Sequence, residues 1–214
     1  MIRTSKQNIA EIKEILLEKY KDAKTELQYK NEYELLISII LSAQCTDKRV
    51  NIITPALFEK YPSTKELANA NLEDVKEIIK SCSFFNNKAK NIIEMAKMVE
   101  NNYNGKIPHE HKELIKLPGV GNKTANVFLI ELDNENRMAV DTHVFRTSHR
   151  LGLSDAKTVE ETEKDLVTAF KTDLAVLHQA LVLFGRYICT AKNPKCDECF
   201  LTKYCQTKES FKAK

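Results

Sequence analysis

The chain has 214 residues, of which 43% are hydrophobic and 29% charged, with a formal net charge of +3. This is the composition of an ordinary globular protein with enough chain for a proper core, and it excludes a disordered or collagen-like chain. So small a positive balance permits a polyanionic partner without demanding one; a basic face has to come from arrangement.

The first residues, Met1 to Gln7, run into an amphipathic pattern with no apolar signal core. The most apolar stretch, Leu35 to Leu41, is too short to span a bilayer and is interrupted by Ser38. The expectation is a cytoplasmic monomer with no membrane contact, whose six cysteines do not form a disulfide framework.

Residues 6–20 carry Ile9, Ile12, Ile15, Leu16 and Tyr20 at helical spacing. Residues 31–44 are apolar nearly all round, which predicts a central buried helix. Its polar end offers Thr46 or Asp47 as the cap of a helix over roughly 48–60. Capping-box spacing from Ser63 to Glu66, and more loosely from Asn71 to Asp74, predicts two short helices. A loop with adjacent Phe84 and Phe85 leads to a helix expected over 88–102, stopped by Asn104-Gly105. Pro108 suits another helix start, with Leu114 and Ile115 facing inward. Helices over 122–132, from about 142 to Gly152, over 159–170 (capped from Thr158) and over 173–187 complete the pattern. No alternating strand pattern is bounded by hairpin turns, so the chain reads as all-α with about ten helices.

Between two of these helices lies Leu117-Pro118-Gly119-Val120-Gly121-Asn122-Lys123-Thr124. Helix, Leu-Pro-Gly-Val-Gly, helix is a helix–hairpin–helix. Glycines let backbone N–H groups approach a partner closely, and a helix N-terminus favours an anion. The turn from Gly119 through Val120 to Gly121 therefore suits phosphate oxygens without reading bases, although Gly-Val-Gly can also be only a tight turn. Lys123 falls in the first turn of the following helix, where the dipole and burial are both expected to favour its neutral, nucleophilic form. Asp141 follows the apolar Met138-Ala139-Val140 at an expected N-cap, a position that suits an ionised carboxylate and is also served by a plain cap.

Beyond residue 188 the composition shifts. Cys189, Cys196, Cys199 and Cys205 have the spacing C-x6-C-x2-C-x5-C. Four clustered thiols point to a metal centre, and four thiolates suit either tetrahedral zinc or an iron–sulfur cluster. One C-x2-C knuckle with longer arms favours a [4Fe–4S] cluster, with zinc the alternative. Lys192 and Lys195, in the short loop between the first two cysteines, can meet a phosphate backbone or simply be solvated. Cys45 and Cys82 read as small buried hydrophobes.

Taken together, four segments resemble the endonuclease III family of DNA glycosylases. They are Leu41-Ser42-Ala43-Gln44 with Thr46-Asp47, Leu117 to Ala125, Ala139-Val140-Asp141-Thr142-His143-Val144-Phe145-Arg146, and the four cysteines. The resemblance implies two helical lobes with an active-site cleft between them. Residues 24–134 would form a six-helix barrel with the helix–hairpin–helix at about 108–132. Residues 1–23 and 135–214 would form a discontinuous lobe holding the cluster loop, 189–205. It implies a bifunctional enzyme that removes oxidised pyrimidines from double-stranded DNA through a lysine Schiff base and then cleaves 3′ to the abasic site by β-elimination. Lys123 falls on the family's nucleophile, Asp141 on its catalytic aspartate and the four cysteines on its cluster ligands. Gln44 falls on the residue that fills the gap left by a flipped nucleotide, and Thr142 lies in the DNA-contacting motif. Phe84 stands at the second wedge, where the family usually has leucine, and Asn193 stands where a basic residue is common. The other readings are a thymine- or adenine-mismatch glycosylase of the same superfamily and a non-catalytic helix–hairpin–helix DNA-binding module.

Overall fold

Apolar residues recur at helical spacing through most of the chain, and the computed structural model turns that spacing into helices. It describes residues 2–207. Among them lie α1 (Lys6–Lys19), α2 (Glu32–Ser42), α3 (Asp47–Lys60), α4 (Thr64–Ala68), α5 (Leu72–Ile79) and α6 (Phe85–Tyr103). There follow α7 (His111–Leu114), α8 (Asn122–Asp133), α9 (Thr142–Arg150), α10 (Val159–Phe170) and α11 (Leu174–Tyr187). Short 3-10 turns occupy Cys196–Glu198 and Thr202–Tyr204, and the described residues contain no strand. None of these helices alone is long and apolar enough to cross a membrane.

The chain divides into two compact units. Glu26–Leu132 forms one, and the segments before and after it form the other. In the first, α2 is the hub. Every residue from Tyr33 to Leu41 is buried, as expected of a helix apolar on all sides. Leu57, Leu67, Ile79, Ile92 and Phe128 come from the surrounding helices to pack in the same core. In the second unit, Ile12 and Leu16 of α1 join Leu166, Leu177, Leu181, Phe184 and Leu201 in a separate core.

Local caps follow the sequence signals. Thr46, not Asp47, caps α3 by accepting from Arg49 N at 3.2 Å. Asn71 Oδ1 accepts from Glu73 N and Asp74 N at 2.9 and 3.3 Å, and Thr158 Oγ1 accepts from Glu161 N at 3.2 Å. Ser63 Oγ caps α4 by accepting from Lys65 N, and its hydroxyl donates to the Glu66 carboxylate.

Three boundaries differ from expectation. Helix α6 starts at Phe85 rather than 88, because Phe84 takes a left-handed conformation and turns the chain into the helix without a side-chain cap. Pro108 starts no helix; α7 begins at His111 behind Glu110. Ile115 is 45% exposed instead of inward-facing, because α7 ends at Leu114 and helical periodicity does not extend beyond it.

In the second unit α9 and α11 cross closely at Gly185. A Cβ there would lie 2.9 Å from His143 Cβ and 3.1 Å from Thr147 Cγ2. Both neighbours are held by a packed helix, so Gly185→Ala is expected to destabilise the protein by about 1–3 kcal/mol through overpacking. Urea unfolding of the two proteins measures this.

Candidate active site and metal centre

The hairpin between α7 and α8 is anchored by what it buries. Leu117 and Val120 are 2% and 5% exposed, and Val120 N donates to Leu117 O at 3.0 Å. Gly119 has φ +81°, and a Cβ on it would lie 3.0 Å from Asn91 Cβ, so both conformation and packing require glycine. Gly121 differs: a Cβ there would meet nothing within 4 Å. The N–H groups of Gly119, Gly121, Asn122 and Lys123 donate to no acceptor among the described residues. The turn therefore presents a row of free donors at the start of α8, the arrangement that binds an anion. Val120 contributes the anchor, since its own N–H is committed within the turn.

Lys123 is the second residue of α8 and is exposed. The expectation that the fold buries this amine is thus corrected. It points outward from a helix start whose apolar face begins only at Ala125 and Asn126.

Two further predicted residues of this unit stand on loop tips. Gln44 follows the end of α2 with φ 53°, and Phe84 precedes α6 with φ 58°. Both are exposed, Phe84 to 62%. A left-handed glutamine is uncommon, and a left-handed exposed phenylalanine is a genuine outlier that the neighbouring structure has to impose.

In the other unit Asp141 is the N-cap of α9. Its Oδ1 accepts from both His143 N and Val144 N at 2.8 Å. Both cap bonds fall on one oxygen, which leaves Oδ2 with no hydrogen bond among the described residues. The preceding Met138, Ala139 and Val140 are all buried, and His178 Nδ1 lies 2.8 Å from Ala139 O, so the approach to the cap is rigidly held. Thr142, the first residue of α9, is exposed. The capping and chemical roles of Asp141 are therefore compatible, since one carboxylate oxygen suffices for the cap.

Cys189, Cys196, Cys199 and Cys205 all line one cavity, with Phe184 and Leu201 among its apolar walls. Burial first, and then the neighbouring thiols, push Cys196 and Cys199 up from the ordinary thiol range. Thiolates gathered in one place are stabilised by a cation among them. Thiols ringed around a space fit a multi-iron cluster better than one tetrahedral zinc. Lys192 and Lys195 are exposed on the loop that leaves this cavity.

Residues 37–172 match the model of the HhH-GPD superfamily base excision DNA repair proteins. The match to the iron–sulfur binding domain of endonuclease III covers 189–205, beginning and ending on a cysteine. Endonuclease III of Rickettsia felis is 46% identical over 201 residues, covering 94% of each chain. The chain belongs to the endonuclease III family. A non-covalent endonuclease III–DNA complex superposes with a TM-score of 0.94 at 39% identity, covering 99% of this chain and all of that one. A trapped endonuclease III–DNA covalent intermediate does so with a TM-score of 0.92 at 40% identity, covering 97% and 98%. The cysteine tail is accordingly an iron–sulfur domain, and a [4Fe–4S] cluster fits its four thiols.

Sequence reasoning passed over the residues that fasten the cluster loop. Arg150 Nη1 donates to Thr190 O at 2.8 Å and lies 3.2 Å from Cys189 Sγ, and its Nη2 donates to Ala191 O at 3.0 Å. Arg146, one turn earlier on α9, donates to Cys189 O at 3.0 Å and Gly185 O at 2.7 Å. The available signal was their i, i+4 spacing, which puts two guanidinium groups on one helix face. The basic character of the last turn suggested only a complement to the helix dipole.

The two hairpin glycines separate fold from binding. Gly119→Ala is expected to cost about 1–3 kcal/mol through strain at a left-handed residue. Gly121→Ala should unfold like the parent and bind duplex DNA more weakly, because its methyl occupies the space a phosphate needs. Parallel melting and DNA-binding titrations distinguish the two.

Proposed function

We propose that this endonuclease III family member excises damaged pyrimidines from duplex DNA and cuts the strand 3′ to the abasic site, with Lys123 as nucleophile and Asp141 as its carboxylate partner. The observation that carries the reading is the near-complete match, at 40% identity, to an endonuclease III trapped as a covalent intermediate with DNA. A covalent intermediate requires a nucleophile, and Lys123 supplies an accessible amine at the start of the hairpin helix.

The duplex hides both base and anomeric carbon, so the damaged nucleotide is first flipped out. Loss of planarity and stacking in a damaged pyrimidine lowers part of that cost. Gln44 fills the vacated position and hydrogen-bonds the orphan base, while Phe84 stacks into the neighbouring step. The free N–H groups at Gly119 and Gly121 hold a backbone phosphate, with Thr142, Lys192 and Lys195 as further backbone contacts. Lys123 is exposed in the free protein, so bound DNA has to supply the desolvation that favours its neutral form. Its Nζ attacks C1′, the C1′–N bond breaks, and the departing base takes up a proton. Asp141, through the oxygen its cap leaves open, stabilises positive charge developing on the sugar. The C1′–O4′ bond then opens, with O4′ taking a proton from solvent, and C1′ and Nζ are left as a Schiff base; this acidifies the C2′ proton, whose loss drives β-elimination of the 3′ phosphate, and water then hydrolyses the imine to free Lys123. Cys189, Cys196, Cys199 and Cys205 hold the [4Fe–4S] cluster, whose contribution is to shape the loop carrying Lys192 and Lys195. A DNA substrate implies that the enzyme works where the chromosome lies, in the cytoplasm of a bacterium, and as a monomer.

Lys123→Gln should abolish borohydride-trappable adducts on an abasic duplex while leaving binding to that duplex intact; adducts that persist would remove Lys123 as nucleophile. Asp141→Asn keeps one cap acceptor and should slow base removal by roughly 10²–10³-fold, as loss of an electrostatic stabiliser does. Single-turnover assays across oxidised-pyrimidine and mismatch duplexes test the substrate class, and turnover confined to mismatches would overturn it. The purified protein should be brown, with thiolate-to-iron absorption; stoichiometric zinc in a colourless protein would overturn the cluster assignment.

A further inference from the structure

One buried cation in the hairpin-bearing unit has no part in the scheme above. Lys88, in the first turn of α6, is 6% exposed. Its Nζ donates to Leu41 O at 2.7 Å and to Ala43 O at 2.6 Å, and lies 3.2 Å from Cys82 Sγ. Three partners match the three N–H groups of a lysine ammonium. The two carbonyls belong to the end of α2, whose last turn contains no basic residue of its own. Lys88 thus caps, from another helix, carbonyls that the end of α2 leaves unpaired. The third partner belongs to a different loop. Cys82 is buried, and burial pushes its thiol up, so it remains S–H and donates to Leu41 O at 3.2 Å. The backbone N–H of Lys88 donates to Phe84 O at 3.1 Å, the ordinary first bond of α6 that any residue at this position would make.

Gln44 is the residue directly after Ala43, and Phe84 stands two beyond Cys82. Both are exposed and left-handed, with φ 53° and 58°. Such conformations persist only where the surroundings over-determine them. A helix cap alone needs the two α2 carbonyls; the bond to Cys82 extends the side chain's hold to the second loop.

We propose that Lys88 is a positioning residue that locks the Gln44 and Phe84 tips together in the arrangement needed to enter the base stack. The proposal rests on the reading of those tips as the wedges of the flipping step. It predicts that Lys88 matters where a stack must be opened and is dispensable where none exists.

Lys88→Met keeps the length of the stem and removes the donors. Two quantities are compared: single-turnover excision of an oxidised pyrimidine from duplex DNA, and borohydride trapping on a preformed abasic site in a single strand. Duplex excision should fall about 10²-fold, the scale of an ångström-sized misplacement, while single-strand trapping is unchanged. Adding Gln44→Ala to Lys88→Met should cost little more, because that tip is already out of place. Equal losses on both substrates, or full additivity with Gln44→Ala, would show a purely structural lysine and overturn the proposal. Normal duplex excision by both Gln44→Ala and Phe84→Ala would sink the wedge reading and this proposal with it. Impaired wedge variants beside a normal Lys88→Met would sink this proposal alone. If circular dichroism shows Lys88→Met unfolded, Cys82→Ala removes the loop-side partner of Lys88 together with the thiol's own bond to Leu41 O. It should give a smaller, duplex-specific loss that is non-additive with Phe84→Ala, and normal duplex excision by Cys82→Ala would overturn the proposal.

Discussion

The constraint that shapes this molecule is the unsatisfied helix end. A chain built from many short helices carries, at every terminus, N–H or C=O groups that no bond within the helix can reach. At most helix starts a local side chain settles the matter, as Thr46, Ser63, Asn71 and Thr158 do. The functional positions lie at the termini that are settled differently. At the start of α8 the donors are left free, beside Gly121 and Lys123. At the start of α9 the cap is a carboxylate that uses only one of its oxygens. At the end of α2 the carbonyls are capped from a distance by a buried lysine, and at the start of α6 no side chain caps at all. In each case a group that would otherwise be consumed by the fold, or a backbone that would otherwise relax, stays available for DNA.

The same logic explains why the supporting residues are more buried than the acting ones. Lys123, Gln44, Phe84, Lys192 and Lys195 are exposed, whereas Lys88 is almost fully buried and Arg146 and Arg150 are partly so. Among the described residues these exposed side chains have no hydrogen-bond partner to orient them, so their direction is inherited from the backbone beneath. That backbone is held by charge-assisted hydrogen bonds to carbonyls, which are stronger than neutral ones and more costly to leave unmade. The cysteine tail is a second instance. With little periodicity of its own, it takes its shape from the two arginines of α9 and from the ligands of the cluster.

Much of this was legible in one dimension. Helical spacing, capping pairs and the Asn104-Gly105 stop are local, and local signals survive in sequence because they depend on neighbours a few residues apart. The four cysteines and the Leu-Pro-Gly-Val-Gly hairpin are legible for the same reason, since their spacing is their chemistry. The start of α6, the exposure of Ile115 and the exposure of Lys123 were not legible, because each depends on where a helix ends in three dimensions and on what then covers it. The two hairpin glycines are indistinguishable as letters. Only the packing of Asn91 against one and the open space beside the other separates a glycine the fold needs from a glycine the fold does not explain.

The sequence by itself therefore determined the all-helical class and the metal-binding tail, since these rest on residue type and short-range spacing. Only the tertiary structure decided that Lys88, a residue unremarked in the sequence, reaches both the end of α2 and the loop at Cys82, with Leu41 at a separation of 47 residues. The physical reason is that a hydrogen bond is a matter of ångströms in space, and a long-range pairing between a side chain and a backbone carbonyl leaves no pattern along the chain.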